Sequence, residues 1–186
     1  MFLFMFGMTS TEPNKEVFSP DRCLAAIAEK SKEALEELYS NMADGVFGYA
    51  LSILKNHHEA QDVQQEVFVK IWSCASQYRP GSNARAWIYT ITKNLAMTAL
   101  RKSMKSSGAE VPEIPHSDAS VEDRMALNAL LNLLGEEERQ IVMLHTQGMK
   151  HREIASVMQL PLSTVLSKYN RSLKKLKKCL EDEFDA

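Results

Sequence analysis

The residues in this sequence best suited to chemistry form two clusters of cations, and the chemistry they suit is contact with a polyanion. Arg79, Arg85, Lys93, Arg101, Lys102 and Lys105 fall between positions 79 and 105 with no acid among them. Lys150, Arg152, Lys168, Arg171, Lys174, Lys175, Lys177 and Lys178 fall between 150 and 178 against Glu153 alone. The formal net charge of the 186-residue chain is only -2, so both islands sit in a strongly acidic remainder. Solvated helix faces would account for one such island, whereas two on amphipathic helices weigh toward a nucleic-acid partner. Bond-making chemistry has far less support. His57-His58-Glu59, His116, His145 and His151 lack the His-Glu-x-x-His spacing of a zinc site, and Cys23, Cys74 and Cys179 form no Cys-x-x-Cys pair. Neither a glycine-rich phosphate loop nor a nucleophile elbow occurs. No catalytic residue, metal site or cofactor is expected.

Helices must carry these cations. With 45% hydrophobic residues the chain can bury a core, and its 7 Gly and 6 Pro are too few for the turns of an all-β fold. No apolar run reaches the ~20 residues of a membrane span, and three scattered cysteines suit a reducing compartment. A cytoplasmic protein without membrane insertion is expected. Met1-Phe2-Leu3-Phe4-Met5-Phe6 lacks a basic flank and a cleavage site, so residues 1–18 read as a disordered extension with Met5 or Met8 as alternative starts. Ser19-Pro20-Asp21 reads as an N-cap, a first-turn proline and an acid at a helix start. Helical spacing then runs from Leu24 through Met42 and on to Leu54, breaking at Asn56-His57-His58. A third helix starts near Glu59, with Val63, Val67, Phe68, Ile71 and Trp72 on its stripe. Tyr78-Arg79-Pro80-Gly81-Ser82-Asn83 is a loop by composition, and a fourth helix follows through Trp87, Ile88, Ile91, Leu95 and Ala99.

Periodicity ends over 103–119, where Ser106-Ser107-Gly108, Pro112 and Pro115 predict a flexible linker. Ser120 and Asp123 resemble a capping box and open a helix through Leu127, Leu130, Leu131 and Leu134. A further helix is led by Glu136-Glu137-Glu138, and two more span about 150–158 and 161–180. The last two carry a sharper signal. Ile154, Ala155, Val157 and Met158 face a core, Gln159-Leu160-Pro161 turns tightly, and Leu162, Val165, Tyr169, Leu173, Leu176 and Leu180 form the next buried stripe. Thr164, Ser167, Lys168, Arg171, Lys174 and Lys175 then project away from it. A short helix, a tight turn and a longer polar, basic helix make a helix-turn-helix, whose second helix enters the major groove of DNA. Lys174 to Lys178 lie too far along to read bases; phosphate contact or plain solvation suits them. The expected fold is all-α: a helical domain over 19–102 and a helix-turn-helix domain over 120–186, on a string.

In this order the segments resemble the extracytoplasmic-function (ECF) sigma factors of bacterial RNA polymerase. Glu59 to Trp72 is similar to that family's core-polymerase-binding helix, and Arg85 to Ala96 to its promoter-melting helix. Glu138-Arg139-Gln140 with the helix-turn-helix is similar to its C-terminal domain. The resemblance implies that Asp62, Gln65, Glu66 and Val69 grip the clamp coiled coil of the largest polymerase subunit. It implies that the loop with Gln77, Tyr78, Arg79, Ser82 and Asn83 captures a flipped base of the minus-ten strand, and that Arg85, Lys93, Asn94, Arg101 and Lys102 lie along that strand. Arg152, Ser163, Thr164, Ser167, Lys168, Arg171, Lys174 and Lys175 are assigned to the minus-thirty-five duplex. Trp87 falls on the apolar stripe and is expected to pack rather than stack on a base.

The expected activity is promoter-specific initiation with bacterial core RNA polymerase and promoter DNA as partners, and an anti-sigma factor as inhibitor. The resemblance implies that the linker threads toward the active-site cleft and RNA exit path; its Glu110, Glu113 and Asp118 suggest, by charge alone, a mimic of nucleic acid there. The sequence departs from the family pattern at Ala84 and Lys93, where Phe and Arg are common, and at Leu166 and Asn170, where Lys and Arg are. These changes bear on the promoter sequence rather than the fold. The alternative reading is a stand-alone helix-turn-helix regulator. Such proteins usually dimerise on paired half-sites, but no dimerisation heptad is present and the basic fourth helix would have no role.

Overall fold

The computed structural model describes residues 18–106 and 133–184. The N-terminal extension to residue 17, the linker from residue 107 with its three acids, and the helix expected from Ser120 as far as residue 132 lie outside the described residues; positions 103–106, expected as linker, instead continue the fourth helix, and Leu134, expected in a helix, stands in a bend before Gly135. Those described form seven α-helices and no strand: α1 (Pro20–Ala28), α2 (Lys32–Leu54), α3 (His57–Cys74), α4 (Ala84–Ser106), α5 (Glu136–Thr146), α6 (His151–Met158) and α7 (Leu162–Phe184).

Local capping sets the boundaries of the first four. Ser19 Oγ accepts the Arg22 N–H at 3.4 Å, with Pro20 in the first turn. The apolar rhythm reads straight through residues 29–31, yet the chain breaks there: Lys30 is left-handed at φ 69° and Ser31 caps α2 by accepting the Ala34 N–H at 3.1 Å. Neither Gly nor Pro marks that break. At the far end Lys55 is also left-handed (φ 57°), and Asn56 accepts the Glu59 N–H at 3.2 Å, so α3 begins at His57 rather than Glu59. Leu24, Ile27, Leu38, Val46, Val67, Ile71 and Ile88 are fully buried between these helices.

In the second unit α6 and α7 form the expected helix-turn-helix. Gln159 takes a left-handed φ of 57° and the Leu160 N–H reaches back to the Ala155 carbonyl at 3.1 Å, closing α6 before Pro161. One assignment on α7 needs correction. Ser172, not Leu173, is buried, donating its hydroxyl to the Lys168 carbonyl at 2.8 Å, while Leu173 stays 43% exposed. The stripe runs 162, 165, 169, 172, 176, and a helix turns Leu173 to its edge whatever its hydropathy.

The two units are not apart. Helix α2 packs on α5 and α4 on α6, and one buried cluster runs from Val46, Tyr49 and Ala50 to Ile141, Leu144 and Met158. The Tyr49 hydroxyl sits 3.4 Å from Gln140 Oε1 and 3.5 Å from Met158 Sδ, and Arg139 is buried with hydrogen bonds to the Leu134 carbonyl at 3.2 Å and the Ser52 carbonyl at 3.5 Å.

Glu138 organises the second unit. It stands in the first turn of α5, where Oε2 accepts the Gly135 N–H at 3.1 Å and the Lys175 ammonium at 2.7 Å, with Arg171 at 4.0 Å from the other oxygen. The Lys175 hydrogen bond, helped by Gly135 and by the charges of Lys175 and Arg171, holds this buried carboxyl below its ordinary range against the cost of burial. A depressed folded pKa gives stability that is present above the unfolded value and lost as pH falls through the folded one. Glu138→Gln should therefore cost about 1–2 kcal/mol at pH 7, with the gap to wild type closing below about pH 4; thermal unfolding at both pH values measures it. Lys55→Gly should gain about 0.5–1 kcal/mol by relieving the left-handed cap, measured as a rise in Tm.

Candidate nucleic-acid interface

The cations of α7 divide between two faces. Lys168, Arg171 and Lys175 recur at helical spacing on the side facing the acidic start of α5, where Lys168 pairs with Glu137 at 2.9 Å and the other two with Glu138. Ser163, Ser167 and Lys174 lie on the adjacent face, exposed together with Asn170. Thr164 is half-buried, and Arg152 is exposed on α6. A helix seated in a major groove presents one face to base edges and its flanks to phosphates. The outer face offers the short hydroxyls of Ser163 and Ser167 and the Asn170 amide, all exposed. The α5-facing cations hold internal acids at the same time, which the sequence did not signal because residues 137 and 168 are far apart in the chain.

The loop before α4 is tightly held. Tyr78 is buried: its hydroxyl donates to the Asp21 carboxylate, and its ring lies 5.5 Å from that of Trp87. Asp21 also accepts the Gly81 N–H at 3.3 Å. Asn83, at φ 90°, uses Oδ1 to cap α4 through the Ala86 N–H at 2.9 Å and donates from Nδ2 to Glu153 at 2.7 Å. Arg79, Asn94, Arg101 and Lys102 are exposed. Arg85 and Lys93 instead turn toward the second unit. Arg85 donates to the Gln147 carbonyl at 3.0 Å, and the Lys93 ammonium donates to the Val157 and Met158 carbonyls at 3.1 and 3.0 Å. Burial pulls the Lys93 pKa down.

On α3, Asp62, Gln65, Glu66 and Val69 share one exposed face, with Val69 68% accessible. Beside it opens an apolar groove of about 500 Å³ lined by Leu35, Phe68, Val69 and Trp72 and flanked by Lys32 and Glu36. Phe68 and Ile71 are core residues; Trp72 is half-buried under the Lys30 ammonium, 5.3 Å from its ring centre. One convergence was hidden in the sequence. The rings of His145, His151 and Tyr169 meet within 4.4–5.1 Å, and the Tyr169 hydroxyl lies 3.2 Å from His145 Nδ1. Burial first, and His151 second, lower the His145 pKa. Among the described residues no group of three or more His, Cys, Asp or Glu side chains converges as a metal site, and no helix is long and apolar enough to cross a membrane.

Comparison with known proteins bears directly on this arrangement. Residues 38–106 match the family model for sigma-70 region 2, and residues 124–176 match that for sigma-70 region 4. The chain is 29% identical over 154 residues to the ECF RNA polymerase sigma factor SigE of Mycolicibacterium smegmatis, a match covering 76% of this chain and 60% of that relative. It is 24% identical over 174 residues to the ECF RNA polymerase sigma factor SigK of Mycobacterium tuberculosis, covering 87% and 93%. Two solved structures share the fold. RpoE of Bartonella quintana, in complex with the anti-sigma factor NepR, matches at TM-score 0.70 and 23% identity over 81% of this chain and 98% of that one. CnrH, in complex with the cytosolic domain of CnrY, matches at TM-score 0.67 and 22% identity over 88% and 99%. The region 2 match contains the basic α4 and the region 4 match the helix-turn-helix; the chain belongs to the sigma-70 family of bacterial RNA polymerase sigma factors.

Proposed function

We propose that this chain binds bacterial core RNA polymerase and directs it to a specific class of promoters, reading the minus-thirty-five duplex and stabilising the melted minus-ten strand. The observation that carries this reading is the pairing of a region 2 match containing the cationic α4 with a region 4 match containing the helix-turn-helix. The working units are a polymerase-binding and minus-ten domain over 19–102 and a minus-thirty-five domain over 120–186, with 103–119 between them. Asp62, Gln65, Glu66 and Val69 dock on polymerase, the apolar valine anchoring a rim of acids and amides. Arg79, Arg85, Lys93, Asn94, Arg101 and Lys102 follow the single strand. Ser163, Ser167 and Lys174 meet the duplex, with Arg152, Thr164, Lys168, Arg171 and Lys175 at its flanks. Tyr78 and Asn83 act by shaping the loop, since both side chains are already engaged there.

The protein makes and breaks no bond; the sigma-70 family is not an enzyme class, and polymerase supplies catalysis. It works in the cytoplasm beside polymerase. Because the RpoE structure of the same fold is in complex with the anti-sigma factor NepR, an anti-sigma partner is proposed here too.

Transcription of fragmented genomic DNA by sigma-free core polymerase, with and without this protein, tests the reading: discrete new RNA starts sharing two spaced upstream motifs are expected. Unchanged starts with retained duplex binding would instead favour a stand-alone regulator. The double variant Asp62→Lys/Glu66→Lys, altering two exposed residues, should weaken core-polymerase binding at least about tenfold, and its thermal unfolding should match wild type.

A further inference from the structure

His145, His151 and Tyr169 come from three different helices and take no part in the contacts proposed above. His145 lies in the last turn of α5, His151 opens α6, and Tyr169 sits on the inward stripe of α7. The Tyr169 ring leans on that of His145, with centres 4.4 Å apart and planes at 34°, and meets His151 edge-on at 4.8 Å. The two imidazoles are 5.1 Å apart. One side chain of α7 thus touches both neighbouring helices of its unit.

This stack suits neutral rings and has no place for added protons. With Nδ1 unprotonated, His145 accepts the Tyr169 hydroxyl at 3.2 Å. An imidazolium carries an N–H on both nitrogens, so protonation turns that acceptor into a donor and makes the phenol swing its own proton away. His151 Nε2 is buried without a hydrogen-bond partner, so an N–H there would meet no acceptor. Two cations at this separation would also repel one another.

The charges around the stack supply no counterion. Neither histidine forms an ion pair among the described residues. Lys150 and Arg152 flank His151, and Glu153 is already engaged by the Lys150 N–H and the Asn83 amide. On α7, Lys168 and Arg171 turn to the acids at the opposite end of α5. Arg85 of α4 stands at the Gln147 carbonyl, and Asp44, exposed, is the one charged residue of α2 from Met42 to Leu54. The end of α5 favours a cation on His145, yet burial, with the His151 charge second, outweighs it and lowers the His145 pKa.

We propose that the stack of His145, His151 and Tyr169 is a proton-sensitive joint of the helix-turn-helix unit, holding α7 while both imidazoles are neutral and loosening it as the medium turns acid. The joint does not depend on the function proposed above, whereas its consequence, weaker duplex reading in acid, rests on it. Linkage fixes the sign. A histidine whose folded pKa lies below its unfolded value of about 6.5 binds its proton more readily unfolded, so stability present above that value is lost as pH falls below it. Glu138, whose carboxyl is held below its ordinary range, keeps its charge through that window and leaves the acid-cation contacts in place. Without such a joint, the positive charge gained in acid would strengthen binding to a polyanion, so the direction of the effect is diagnostic.

The test uses the full chain, wild type and His145→Gln/His151→Gln, at about pH 7.5 and about pH 5.5, on either side of the histidine range. Amide hydrogen exchange, corrected for its intrinsic pH dependence and read by peptide mass spectrometry, compares residues 140–172 with α3. Wild-type protection over 140–172 should fall at least about threefold in acid relative to α3, and the double variant should lose less than half as much. Proton NMR titration of wild-type His145 needs no variant, and a midpoint below about 6.5 is expected. Binding of a pool of genomic duplex fragments by the free chain should weaken about threefold in acid for wild type and strengthen for the double variant. Equal protection at both pH values in wild type, or a His145 midpoint at or above the ordinary value, would overturn the joint. Lost protection with duplex binding that holds, strengthens or is absent at both pH values would overturn its consequence for DNA alone. Exchange and titration are read without polymerase, so failure of the transcription assay leaves them intact and the two readings fail separately.

Discussion

The end of a short helix leaves carbonyl groups that no later turn of the same helix can satisfy. At the end of α6 two of these belong to Val157 and Met158, and the nearby Lys93 ammonium from α4 answers both. The position of the helix-turn-helix depends on this meeting of a cation with a helix terminus. Around it Tyr49, Met158 and Ile141 are buried in one apolar cluster that spans both units. The directional contacts of Lys93, Arg85 and Asn83 fix how the second unit is turned relative to the first. Burial lowers the Lys93 pKa while the charge of Glu137 pulls the other way, so the environment that needs the cation also resists it, and the two carbonyls give the buried ammonium its hydrogen bonds.

A comparable tension runs along α7. A recognition helix needs cations for phosphate, and uncompensated cations repel one another in the folded state. Here the acids at the start of α5 take up Lys168, Arg171 and Lys175, so one set of charges supports the fold and stays within reach of a polyanion. Buried Glu138 also closes the first turn of α5, which ties the helix start, the recognition helix and the local charge balance to one carboxylate. The outer face keeps Ser163, Ser167 and Lys174 exposed and clear of the acid-cation contacts.

Much of the fold was legible without coordinates. The helix-turn-helix, the α4 stripe, the loop from Tyr78 to Asn83 and the packing of Phe68, Ile71 and Trp87 follow from helical period and breaker residues, which act over a few positions. Misreadings came where a local rule had no local marker. Lys30 adopts left-handed geometry without being glycine, and Ser172 displaces Leu173 from the buried stripe because helix phase outweighs hydropathy there. The partners of Tyr78 and Asn83 had no local marker either: one donates to Asp21 and the other bridges to Glu153.

What the sequence determined by itself is the set of helices, their apolar faces and the two basic islands, because periodicity, capping and charge are properties of neighbouring residues. Its motifs, in their order, also carried the family. What only the tertiary structure decided is which of those charges are already spoken for. Lys93 and the end of α6, Glu138 and Lys175, Gly48 and Met143, and His145 with His151 and Tyr169 are brought together by packing between helices. Hydrogen bonds, ion pairs and steric contacts act over a few ångströms of space, and no spacing along the chain encodes that proximity until the core has closed.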